Sequence, residues 1–126
     1  MKAARTDANQ VEIVAALRKA GAKVYVSSSF GQGFPDLVVG YQGRFVLLEV
    51  KDGNKPPSAR KLTKDQEKFH AEWTGLPLYV VESIGAAFRA VGIKDSEGLW
   101  LPADPMPVMV PAQELGAKVR WPKKFR

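Results

Sequence analysis

Two acidic residues interrupt otherwise apolar stretches. Asp36 lies in Phe34-Pro35-Asp36-Leu37-Val38-Val39, and Glu49 lies in Val46-Leu47-Leu48-Glu49-Val50-Lys51. Both stretches have strand composition, where a carboxylate is out of place unless it has a task. The connection Gly40-Tyr41-Gln42-Gly43 is short and Gly-bounded, so the stretches should pair as a hairpin. Asp36 then opens one strand and Glu49 nears the end of its antiparallel neighbour, which sets the two carboxylates together at one end of a sheet. Oxygen donors held on a rigid sheet suit a hard divalent cation. Lys51, two residues beyond Glu49, projects from the same face. A fixed cation beside a metal site serves phosphodiester hydrolysis, because negative charge grows on the phosphate in the transition state. Glu49 and Lys51 alone could form a simple salt bridge at a strand end, but that leaves Asp36 unexplained.

Pro35-Asp36, a spacer, and Glu49-Val50-Lys51 resemble the signature of the PD-(D/E)xK nuclease superfamily. Asn9-Gln10-Val11-Glu12-Ile13 opens a first helix, Ser27 to Gly33 precedes the Pro-Asp pair, and Leu62-Thr63-Lys64-Asp65-Gln66 opens a later helix. That order is similar to the virus-type replication-repair nuclease (VRR-Nuc) branch, of phage type, and to archaeal Holliday-junction resolvases. The resemblance covers roughly residues 7–83. Short motifs match by chance, so the order of the flanking elements carries much of its weight.

The resemblance implies a restriction-endonuclease-like core in the order α-β-β-β-α-β and a metal-dependent endodeoxyribonuclease. Asp36, Glu49 and the Val50 carbonyl would hold Mg²⁺ or Mn²⁺, and Lys51 would orient the attacking water. The substrate implied is DNA, branched or junction DNA in phage or bacterial recombination, repair or replication.

The elements that must position these groups can be read along the chain. Residues 7–20 form an amphipathic helix with Ile13, Ala16, Leu17 and Ala20 on one face, ended by Gly21. Glu12 borders that face: it is either a solvated rim residue or, as the resemblance implies, a group reaching the metal through water. Lys23 to Ser28 is a short strand. The loop Ser28 to Gly33 lacks the Lys and the following helix of a nucleotide-binding loop; it is either a phosphate contact or a plain turn. Strand 44–51 is apolar on both faces, so helices should cover both sides of a small mixed central α/β sheet. Thr63 caps the next helix with Gln66 at the third position of a capping box. Gln66 is either that cap alone or, as the resemblance implies, an organiser of the active site. His70, the only histidine, shares its face and reads as structural. Leu78 to Val81 is a strand, Ile84 to Val91 a helix, and Met106 to Val110 a candidate edge strand.

With 126 residues the chain suits one domain: a core over 1–92, and a Pro-rich basic extension over 93–126 that packs on the core or on a partner subunit. There are no cysteines, so thiolate metal sites and disulfides are excluded. No apolar run approaches a membrane span and no signal peptide is evident, so the expected location is cytoplasmic, the bacterial host's if phage-encoded. The net charge of +6 favours a polyanionic partner. Lys55, Arg60, Lys61 and Lys64, in and just beyond the basic loop 52–62, are the candidate DNA contacts; Lys118 to Arg126 form a second cluster. Resolving a junction needs two matched cuts, so a homodimer or higher even oligomer is expected, with Trp100, Leu101, Met106, Val108 and Met109 as interface candidates. A non-cleaving nucleic-acid-binding module on the same fold, or a structural basic protein, are the rival readings.

Overall fold

The computed structural model describes residues 8–94 and 107–110. Its order is α1 (Ala8–Lys19), β1 (Lys23–Val26), β2 (Leu37–Tyr41), β3 (Arg44–Val50), α2 (Lys64–Glu72), β4 (Leu78–Val81), α3 (Ile84–Val91) and β5 (Val108–Met109). Short 3₁₀ turns occupy Ser28–Phe30 and Pro57–Ala59. The expected α-β-β-β-α-β core is therefore present, followed by α3 and an edge strand. Most of the extension, including Trp100, Leu101, Met106 and the Lys118–Arg126 cluster, lies outside the described residues. No helix among the described residues is long and apolar enough to cross a membrane.

The five strands form one mixed sheet in the order β1-β2-β3-β4-β5, with β3 and β4 parallel and the other neighbours antiparallel. The β2–β3 turn is tighter than Gly40 to Gly43. Gly40 and Tyr41 stay in the strand, and Gln42 (φ 45°) and Gly43 (φ 81°) alone make the turn. Positive φ at both turn residues matches the twist of a two-residue hairpin, which fixes the register of the two carboxylate strands. Parallel β3 and β4 need a crossover, and the loop after Lys51 together with α2 supplies it.

One sheet face carries the main core. Ile13, Val14 and Leu17 of α1 and the small residues Ala86, Ala87 and Ala90 of α3 pack over Leu37, Val39, Val46, Leu48, Val50 and Val81. On the other face Leu47, Leu78 and Glu49 are buried, whereas Phe45 remains 52% exposed. Cover on both sides of β3 therefore begins at Val46 and not at the strand's start. Val108 and Met109 are exposed on the short edge strand.

Gly33 sets how closely the loop before β2 approaches α2. Its φ is +76°, and a Cβ there would overlap the Asp65 carbonyl and come 2.7 Å from the Gln66 backbone nitrogen. No L-residue fits without moving the first turn of α2. Gly33→Ala should cost roughly 2–4 kcal/mol, from a positive φ and backbone overlap together. A denaturant melt checks this; an unchanged midpoint would mean the two segments separate at no cost.

Candidate active site

Leu37 pairs with Leu48, so the register sets Asp36 opposite Glu49 on one face. Asp36 lies one residue before β2 instead of opening it, and its side chain explains the difference. The same register would hand the Val50 amide to the carbonyl of residue 35, but Val50 N–H donates to Asp36 Oδ2 at 2.8 Å. The Pro35 carbonyl is taken by the Ser27 hydroxyl (2.7 Å), and Ser27 N–H donates to the Asp36 carbonyl (2.7 Å). Buried Ser27, just past β1, thus anchors the Pro-Asp pair while Asp36 reaches across to β3. In an extended strand the N–H and C=O of one residue leave on the same side, so the Val50 carbonyl also points toward Asp36.

Glu49 is 1% exposed and Lys51 is 8% exposed, and one amide joins them. Gln66 Nε2 donates to Glu49 Oε1 at 2.9 Å, and Gln66 Oε1 accepts from Lys51 Nζ at 2.8 Å. The same Oε1 accepts from the Thr63 backbone at 2.9 Å, and Thr63 Oγ1 accepts from Gln66 N–H, which completes the capping box. The two readings of Gln66 are therefore not alternatives in the geometry. Capping fixes the amide at the first turn of α2, and from there it spans Glu49 and Lys51. Asn9 holds the same region from behind: its Nδ2 donates to the Lys51 carbonyl (2.9 Å) and the Glu82 carbonyl (3.2 Å), tying the ends of β3 and β4 to α1.

Pro35-Asp36 and Glu49-Val50-Lys51 thus meet across two paired strands, with the lysine on the glutamate's side. The Pro-Asp and Glu-x-Lys pieces of the sequence are gathered at one end of the sheet. Its donors, two carboxylates and a backbone carbonyl, are all hard oxygens, which fits Mg²⁺ or Mn²⁺ and not a soft metal. Among the described residues no third acidic or histidine side chain joins the pair. Mg²⁺ commonly takes one or two carboxylates and completes its shell from water and substrate phosphate.

A solved structure described as a VRR_NUC domain is similar to this chain, with 26% sequence identity over 68% of this chain and 97% of that one, at a TM-score of 0.45. No family model matches the chain, and no curated protein does.

Around Asp36, Glu49 and Lys51, other candidates fall differently. Glu12 is exposed on α1, about 200° around the helix from Gln10. Gln10, not Glu12, is the buried polar residue of α1, at 4% exposure. Arg60 does not stand clear for DNA: its guanidinium meets Glu82 at 3.4 Å. Gly53 lets the loop close onto that same Glu82, since a Cβ there would lie 2.9 Å from Glu82 Oε2. Lys61 and Lys64 are exposed. Residue type alone does not mark Asn9, Ser27 or Gly33: Asn9 and Gly33 meet partners in distant parts of the chain, and Ser27 meets Pro35 and Asp36 across the intervening loop.

His70 is 7% exposed, and its Nε2 is buried without a hydrogen-bond partner among the described residues. Burial, and secondarily the nearby Lys51 charge, hold its pKa below the ordinary imidazole value. The folded state therefore resists a proton that the unfolded chain accepts. Stability should be full above the ordinary imidazole pKa and decline as pH falls through it. Urea midpoints between about pH 7.5 and 5.5 check this, and His70→Gln should flatten the slope. An equal slope in that variant would assign the effect to other groups.

Proposed function

We infer that this chain is a metal-dependent endodeoxyribonuclease hydrolysing phosphodiester bonds, with branched or junction DNA of recombination, repair or replication as its substrate. The observation that carries this reading is the register that sets Asp36 opposite Glu49, with Lys51 joined to Glu49 through Gln66. Mg²⁺ or Mn²⁺ held by Asp36, Glu49 and the Val50 carbonyl would polarise the phosphate and lower the pKa of water.

The chain's own groups do the rest. Lys51 Nζ has three donors; one is given to Gln66 Oε1, and the others would orient the attacking water and stabilise the charge developing on the phosphate. Gln66 keeps Glu49 and Lys51 in fixed relation, so the barrier includes little reorganisation of either. Asp36, tethered by Val50 N–H, keeps one carboxylate face toward the paired strand. Lys55, Lys61 and Lys64 supply phosphate contacts, with Arg60 joining them on release from Glu82. A homodimer would bring two such centres to a junction.

The test is incubation of the purified protein with linear, nicked and four-way DNA in Mg²⁺, Mn²⁺ or EDTA. Scission only with the ion, fastest on the four-way substrate, is expected. Binding without scission in any condition would favour the non-cleaving module. Equal rates on all three DNAs would remove the junction preference.

A further inference from the structure

Beside this centre runs a row of four aromatic rings. Centroid separations are 5.2 Å from Phe30 to Phe34, 5.5 Å from Phe34 to Phe69, and 4.9 Å from Phe69 to Trp73. The Trp73 end is fixed, because Trp73 Nε1 donates to the Leu76 carbonyl at 2.6 Å. Phe34 immediately precedes Pro35-Asp36, and Phe69 lies one helical turn after Gln66, so the row flanks the catalytic groups on two elements. The outer ring, Phe30, is 69% exposed.

Single exposed apolar residues are common and need no explanation by themselves. Phe30 differs in how it is held. It ends the 3₁₀ turn Ser28–Phe30, its N–H donates to the Ser27 carbonyl at 3.1 Å, and Ser27 is itself bonded to Pro35 and Asp36. One edge of its ring leans on Phe34 with planes tilted by 35°, and the rest faces solvent. The next three residues, Gly31, Gln32 and Gly33, all have positive φ (78°, 57° and 76°), which turns the chain sharply back to Asp36. The ring is thus held at a set position against Phe34, which immediately precedes Pro35-Asp36.

We propose that Phe30 is a stacking platform for an unpaired nucleobase of the DNA strand entering the site. This rests on the nuclease reading and names the substrate feature it selects: a strand whose base is free of its partner at the cut, as at a fork, flap or junction. Every base offers a π-face, so the contact is tolerant of sequence. It is also less salt-sensitive than phosphate contacts.

Fluorescence anisotropy in EDTA, with a single-stranded oligonucleotide and a blunt duplex of equal length, reads this without cleavage. Phe30→Ala should lower the ratio of single-strand to duplex affinity about tenfold, the usual size of one base–aromatic stack. Phe30→Trp should keep or raise the ratio, and the gap should persist at high salt. An unchanged ratio in Phe30→Ala would overturn the proposal, as would loss of a dimer in that variant with no change in ratio. The ratio effect seen in a protein that never cuts in Mn²⁺ would support the platform while removing the hydrolytic reading, so the two fail separately.

Discussion

Asp36→Ala and Glu49→Ala should each reduce metal-dependent DNA scission by roughly a thousandfold or more, with DNA affinity held or slightly tightened. The ion contributes several kcal/mol of transition-state stabilisation, and each 1.36 kcal/mol is about tenfold in rate. Affinity should survive because the carboxylates repel phosphate; basic groups elsewhere hold the DNA. Both residues also accept hydrogen bonds, Asp36 from Val50 N–H and Glu49 from Gln66. Asp36→Asn and Glu49→Gln retain an amide oxygen for those donors while removing the charge. They should be as inactive as the alanine variants but closer to wild type in thermal stability. Gel-based scission rates with parallel melting curves check this. Normal cutting by either pair of variants in metal-scrubbed buffer would sink the proposed mechanism.

Lys51→Ala should lower the catalytic rate by about 10²–10³ with little change in KM, since a donor aimed at developing charge acts in the transition state and not in the ground state. The variant also deprives Gln66 Oε1 of one of its two donors. The Thr63 N–H remains, so the amide keeps its place in the capping box. Single-turnover rates at saturating DNA separate the cases. Weaker binding at an unchanged rate would make Lys51 a phosphate contact only.

Local signals account for what was legible in the sequence. The Gly-bounded stretch 40–43 between two apolar runs announces the hairpin, but the register that sets Asp36 against Glu49 depends on Gly40 and Tyr41 staying in the strand, with Gln42 and Gly43 alone in the turn. Thr63-x-x-Gln66 specifies the start of α2. Other features depend on how the crossover lays α2 against the sheet, which no local pattern encodes. The second role of Gln66 needs Glu49 and Lys51 to arrive beneath that helix start. The requirement for glycine at position 33 becomes visible only once the Asp65 carbonyl is beside it. Asn9 sits at a helix start, where its type suggests no more than a local cap. Its bonds instead reach Lys51 and Glu82, 42 and 73 residues away. Glu12 and Arg60 drew attention through their charge. The helix turns the first outward, and Glu82, which no local pattern pairs with Arg60, meets the second.

The most direct measurement of the central claim is Mn²⁺ binding by titration calorimetry, comparing the wild-type chain with the Asp36→Asn/Glu49→Gln double variant. It asks whether the two facing carboxylates form a cation site, independently of any DNA or cut. Saturable binding in the wild type that vanishes in the folded double variant is the predicted result. Equal Mn²⁺ binding by both proteins would contradict the account, because the ion would then sit somewhere other than between β2 and β3.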